Sequence, residues 1–249
     1  MKKELYLTIL GIIIGELMIF SGQVYIGIAI HVINLQAITL GLMLSNLSLD
    51  IKNSLQSLIL LLLLRIVGLA MPQFFIVSLL WYPLVYGVMF IPVLAIIKNQ
   101  QITLKEIGID FKRFNIYLPA GITIGLGIAT IEYLILKPNP LIENITISNL
   151  ILISIVMFVF VGAIEELIFR SIIQTRFEKV LGLKYGVLVS GSMFGIMHSV
   201  FGIVNEILFA CVFGIILGHI FQKTRSFPLI LLIHGTANVS LFALLPFIL

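Results

Sequence analysis

Long apolar stretches recur along almost the whole chain, broken only by short polar, glycine or proline connections, and that recurrence restricts the fold more than any other feature. Each approaches the ~20 residues a helix needs to cross a ~30 Å hydrocarbon layer. Nine candidate spans run approximately Leu5 to Phe20, Val24 to Ser45, Leu55 to Ala70, Phe74 to Ile97, Ile116 to Leu136, Leu150 to Ile173, Tyr185 to Val200, Val204 to Phe221 and Phe227 to Leu245. The expected fold class is all-α, a polytopic transmembrane helical bundle of about eight to nine spans with a cytoplasmic amino terminus. With 60% hydrophobic and 10% charged residues and a mean hydropathy of +1.20, the chain leaves no room for a separate soluble domain. Residues 1–249 read as one integral membrane domain, with accessory amino-terminal helices over 1–145 and the chemistry-bearing helices over 150–245.

The basic residues support this topology, because Lys and Arg accumulate in cytoplasmic loops. Thirteen of the fifteen (Lys2, Lys3, Lys52, Lys98, Lys105, Lys112, Arg113, Arg170, Arg176, Lys179, Lys184, Lys223 and Arg225) fall on one side. Lys137 falls on the other, and Arg65 within a span. The formal charge of +4 therefore records orientation in a bilayer, and its dispersal over several loops excludes a nucleic-acid patch. Lys2 and Lys3 ahead of an apolar segment suit an uncleaved first helix better than a signal peptide, since no A-x-A-like site follows. The connection Lys98 to Asn115 is expected on the membrane surface. The only cysteine, Cys211, is expected to pack inside its span.

Three constellations carry chemistry. In the sixth span Glu165, Glu166 and Arg170 stand in an otherwise apolar run, where ionisable groups are costly unless paired or facing a wet cavity. Glu166 and Arg170 are four apart with the acid first, the favoured order for an ion pair on one helix face. Glu165 points about 100° away and is left to take a proton. In the seventh span Phe194 and His198 share a face. Provided the sixth helix continues to about Lys179 before a turn at Leu181 and Gly182, Glu165 lies ~21 Å and His198 ~20 Å from that turn, so that acid and imidazole meet. In the ninth span His234 and Asn238 share a face, with small Gly235, Thr236 and Ala237 between them to allow close helix approach. Both can donate hydrogen bonds to a developing oxyanion. Outside these motifs Glu16, His31, Arg65, Glu132, Glu206 and His219 are expected to be paired or to face water.

Together the motifs resemble, in order and residue type, the CPBP family of intramembrane proteases, also called the CAAX protease and Abi family. Its double glutamate with a following arginine, Phe-x-x-x-His and His-x-x-x-Asn are matched by Glu165, Glu166, Arg170, Phe194, His198, His234 and Asn238. Phe213, Gly214 and Gly218 resemble its glycine-bearing helix. The resemblance covers about Phe158 to Ser240. It implies hydrolysis of a peptide bond within the membrane, in a cavity reached from the cytoplasmic side of the cell membrane. Glu165 is then the base, His198 its partner on the water, and His234 with Asn238 the oxyanion donors. Glu166, Arg170 and Phe194 support them. The implied substrate is a membrane-anchored peptide or protein, with prenylated CAAX tails, bacteriocin processing and self-immunity as candidate contexts. Family labelling as metalloproteases would make Glu165, His198 and His234 zinc ligands. The residue roles favour a reaction needing no cofactor. The rival classes are a proton-coupled transporter using the same acids and imidazoles as a relay, and a non-catalytic immunity or scaffold protein.

Overall fold

The computed structural model describes residues 2–70 and 78–249. Among the described residues the chain is a bundle of helices: α1 (Lys3–Phe20), α2 (Val24–Leu44), α3 (Leu49–Ala70), α4 (Trp81–Asn99), the short α5 (Leu104–Ile107), α6 (Phe114–Leu136), α7 (Ile147–Leu181), α8 (Leu183–Ile196), α9 (Val204–Thr224) and α10 (Phe227–Ile248). Seven of these are long and apolar enough to cross a membrane. Two of the nine candidate spans fall outside this set. Helix α1 carries Lys3, Glu4 and Glu16 within its 18 residues, and α8 has 14 residues before a 3-10 turn at Met197–Phe201. The start of the fourth expected span, from Phe74, lies outside the described residues.

Side chains that face outward are as apolar as those that face inward, as a bilayer requires. Leu40, Ile91, Leu134 and Leu208 are exposed, whereas Leu58, Leu60, Leu61 and Leu62 of α3 are fully buried. With lipid on the outside, apolar side chains gain little by turning inward, so helices are joined where small residues let backbones approach and where polar groups bond across. Gly121, Gly125 and Ala129 form such a stripe on α6. A Cβ on Gly121 would lie 2.7 Å from Leu232, and one on Gly125 would lie 2.7 Å from the Ile233 carbonyl oxygen of α10. A Cβ on Gly127, on the outer face of the same helix, meets nothing within 4 Å. Gly125→Ala is therefore expected to destabilise the detergent-solubilised protein by about 1–3 kcal/mol through overpacking. Gly127→Ala is expected to leave it unchanged or slightly raised, read as melting temperature.

One end of the bundle is closed by the connection after α4. Helix α5 is held by a capping box between Thr103 and Glu106 and ended by Gly108 at φ 91°. Its Ile107 is buried and its carbonyl accepts the Ser171 hydroxyl at 2.8 Å, while the Gly108 carbonyl accepts the Phe227 N–H at 2.8 Å. Leu104 and Phe111 stay exposed. The segment thus tucks one side under the helices and leaves the other exposed. Arg176 pairs with Glu106 at 3.4 Å and donates to Gln100 at 2.6 Å, Lys179 lies 3.6 Å from Glu106, and Arg225 pairs with Glu178. These contacts gather the basic loops at this same end.

Arg170 does not belong with them. It is 1% exposed inside α7, because its guanidinium is held by a carboxylate and not by water. That removes it from the basic face. Cys211 packs against Gly195 of α8, and its thiol donates to the Ser192 carbonyl at 3.7 Å.

Candidate active site

Helix α7 runs unbroken to Leu181 and turns at Gly182 with φ 87°, as the depth argument requires. It is not a uniform α-helix. Two π-helical stretches, Val156–Gly162 and Leu167–Gln174, flank a single α turn of Ala163–Glu166. Such bulges are rare and recur at functional sites, because they rotate the following side chains away from an α-helical register. Here they bracket the two glutamates. Gly162 lets α10 come close, with a Cβ at that position only 3.1 Å from Leu231, and Gly235 packs on the ring of Phe158. The small residues beside His234 thus do what their sequence suggested.

The adjacent acids have different surroundings. Glu166 is fully buried, and its Oε1 accepts from Arg170 Nη1 at 2.9 Å and from His234 Nδ1 at 2.6 Å. Arg170 in turn stacks on Phe194, with its Cζ 4.4 Å from the ring centroid. Glu165 turns toward an internal cavity. Its Oε1 accepts the Tyr86 hydroxyl at 2.5 Å, and its Oε2 lies 3.6 Å from His234 Nε2. Glu165 is therefore not free of partners as its spacing implied, but neither partner is a fixed cation.

Both imidazoles are set in one tautomer by what their Nδ1 atoms touch. His198 Nδ1 lies 2.9 Å from the Phe194 carbonyl, which only accepts, so this nitrogen carries the proton. His234 Nδ1 donates to Glu166. In the neutral ring each Nε2 then presents a lone pair. Phe194 separates the two rings, its centroid 4.8 Å from that of His198 and 5.8 Å from that of His234. Glu165, His198, His234 and Asn238 all line one cavity of about 370 Å³, within the size range of small-ligand sites. All three sequence motifs meet there.

The first half of the chain contributes more than accessory packing. Tyr82 and Tyr86 of α4 line the cavity with rings stacked 6.4 Å apart. Glu132 of α6 lines it too. Arg65 of α3 forms a two-point ion pair with fully buried Glu16, at 2.8 and 2.7 Å, and His31 Nε2 lies 3.1 Å from the same carboxylate. This cluster grips the turn that carries His198 from both sides, since Arg65 also donates to the Met197 carbonyl and Ser199 donates to Glu16. His219 is exposed, and Glu206 is fully buried with no hydrogen-bond partner among the described residues. Glu16, His31, Arg65 and Glu132 stood out in the sequence as ionisable groups at membrane depth, whereas Tyr82, Tyr86 and Ser199 left only a four-residue spacing and a place next to His198.

The lining of the cavity extends to Gly68, Leu69, Trp81, Phe201 and Phe242, at the helix ends remote from the basic loops. Toward the basic end the bundle is filled by buried Ile172, Ile173, Phe177, Phe221 and Ile230.

A zinc reading asks for three ligands around one point. The donor types suit it, with two Nε2 lone pairs and a carboxylate, but among the described residues no three His, Cys, Asp or Glu side chains converge closely enough to hold a metal ion. Part of the chain matches a known family: residues 147–240 match the model described as type II CAAX prenyl endopeptidase Rce1-like. No curated protein and no solved structure matches the chain.

Proposed function

We propose that this protein, whose residues 147–240 carry a type II CAAX prenyl endopeptidase Rce1-like domain, is an intramembrane endopeptidase that uses Glu165 to activate water against a peptide bond. The observation that carries this reading is the division of labour between neighbouring carboxylates. Glu166 is tied to Arg170 and His234, while Glu165 faces the cavity shared with His198, His234 and Asn238. A carboxylate held at a cavity wall without a fixed cation is free to accept a proton from water, as a general base must.

In the proposed reaction Glu165 removes one proton from a water in the cavity, and the His198 Nε2 lone pair accepts the other O–H and aims the oxygen. The hydroxide attacks the scissile carbonyl carbon. The resulting oxyanion takes a hydrogen bond from the Asn238 amide, a donor placed before charge develops. Collapse breaks the C–N bond, and the proton held by Glu165 passes to the leaving nitrogen. The products are a new carboxyl terminus and a new amine. The bond from His234 Nδ1 to Glu166 leaves its Nε2 lone pair beside Glu165, so we give His234 the task of steadying the proton that Glu165 holds between the two steps. This replaces the oxyanion role read from its sequence motif, because a neutral ring with its proton on Nδ1 has no Nε2–H to donate. Tyr86 fixes the Glu165 rotamer by occupying its other oxygen.

The substrate is a membrane-associated peptide or protein, and the proposed reaction uses the chain's own side chains and water. Purified protein in proteoliposomes, treated with excess chelator, is expected to cleave a pool of bilayer-inserted peptides at its untreated rate, with products identified by mass. Loss of cleavage that zinc restores would overturn the metal-free mechanism.

A further inference from the structure

We infer that the basic face of this protein holds the headgroup of one anionic phospholipid, in a hollow between the start of α6 and the link from α9 to α10.

The hollow, of about 360 Å³, is walled by Lys112, Arg113 and Tyr117 on the α6 side and by Lys223, Thr224 and Ser226 on the other. Three cations therefore border one space. Elsewhere on this face the cations are already committed: Arg225 pairs with Glu178, and Arg176 and Lys179 with Glu106. Lys112, Arg113 and Lys223 have no such carboxylate among the described residues. The one acid at the wall, Asp110, has its Oδ1 occupied by the Lys112 backbone N–H at 2.9 Å. Three cations against one carboxylate leave the hollow with an excess of two positive charges. An anion seated there relieves their mutual repulsion.

The backbone adds to the attraction. Helix α6 begins at this wall with no side chain capping its first turn, so its orphan N–H groups and the positive end of its dipole are available to an anion. A phosphate group, with its charge and several acceptor oxygens, suits such a set of donors. The two walls are also joined before anything binds. The Phe227 N–H donates to the Gly108 carbonyl at 2.8 Å, and a Cβ on Gly108 would lie 2.8 Å from the Arg225 carbonyl oxygen.

The surroundings favour a phosphate that carries acyl chains. Phe111, Phe114, Ile116 and Leu118 are exposed beside the hollow, with the two phenyl rings 5.9 Å apart. These side chains offer a surface to hydrocarbon that a free phosphate does not use. The positive-inside rule assigns this face to the cytoplasm, where the adjoining leaflet contains anionic lipids. Helices α6 and α10, whose beginnings flank the hollow, are the pair that meets closely at Gly121 and Gly125. A headgroup that grips both beginnings holds together the pair that includes His234 and Asn238.

The test uses the purified protein in phosphatidylcholine nanodiscs with increasing phosphatidylglycerol, read as melting temperature and as phosphatidylglycerol retained in native mass spectrometry. Melting temperature is expected to rise with phosphatidylglycerol. The triple variant Lys112→Gln, Arg113→Gln, Lys223→Gln is expected to lose this response, with affinity for the lipid lowered roughly 10²-fold, about fivefold for each cation removed. A second triple, Lys98→Gln, Lys105→Gln, Lys184→Gln, removes the same charge from exposed positions on the same face and is expected to keep the response. Equal loss in both triples, which would indicate only a general surface field, or retained binding in the first, would overturn the inference. Inorganic phosphate added to discs of phosphatidylcholine alone is expected to leave the melting temperature unchanged. A rise matching that of phosphatidylglycerol would make the hollow a free-phosphate site and overturn the lipid assignment. Both triples are expected to melt no lower than the unsubstituted protein in phosphatidylcholine alone. Should the first unfold, Arg113→Gln alone decides, with about a fivefold loss of affinity expected and no loss contradicting the site. Binding is read without cleavage, so the result is independent of the hydrolase reading.

Discussion

Under the proposed mechanism Glu165→Gln is expected to lower cleavage of a bilayer-inserted peptide by roughly 10²- to 10⁴-fold, the contribution of a positioned general base, while leaving melting temperature close to that of the unsubstituted protein. Gln keeps the shape and can still accept the Tyr86 hydroxyl, so what is lost is the capacity to take a proton. Glu166→Gln behaves in the opposite way. Its amide oxygen still accepts from His234, and the lost charge weakens the pairing with Arg170. The expected outcome is a fall in melting temperature with a smaller loss of turnover in the folded fraction. The two variants, assayed by initial rate and by thermal unfolding in the same detergent, separate the roles. Equal loss of turnover in both would show that the neighbouring acids do not divide the work.

Arg170→Met is expected to be the most destabilising single change in the site. It leaves the fully buried Glu166 carboxylate without its cation, a situation that costs about 3–5 kcal/mol and that no solvent can relieve. Methionine retains an apolar contact with Phe194, on which the guanidinium is stacked, so packing alone does not account for the effect. Replacing both partners, as Glu166→Gln with Arg170→Met, is expected to recover most of the loss, since neutral replacement of a buried pair is often close to neutral. The comparison of the two melting curves checks this. An Arg170→Met protein that melts like the unsubstituted one would mean that the pair is not needed to hold α7 against α10.

The helical, membrane-spanning character of the chain was legible from hydropathy alone, and so was the pairing of Glu166 with Arg170, because i,i+4 neighbours on a helix are fixed by local geometry. The meeting of Glu165 with His198 follows from counting rise per residue back from the turn at Gly182, whereas His234 and Asn238 were joined to them only by the family resemblance of their motif. Three things were not legible, each for a physical reason. Contacts across the bundle, such as Tyr86 with Glu165 or Arg65 with Glu16, join residues 79 and 49 positions apart, and uniformly apolar helices carry no stripe that says which faces meet. Leu61 is fully buried and Leu40 exposed, yet they are the same residue in similar runs. The π-helical stretches around Glu165 and Glu166, which lie where α7 packs on α4, α8 and α10, leave no periodic trace in an otherwise apolar run. Arg170 was placed with the cytoplasmic cations because a rule based on counts cannot see that its charge is already satisfied inside the helix bundle.

The most direct test of water activation by Glu165 is a comparison of peptide termini across the membrane proteome of cells expressing the unsubstituted protein and cells expressing Glu165→Gln at matched levels. The proposed chemistry predicts a set of new carboxyl and amino termini, within or beside apolar segments of membrane-associated proteins, that disappear with the substitution. Identical termini in the two samples would contradict it.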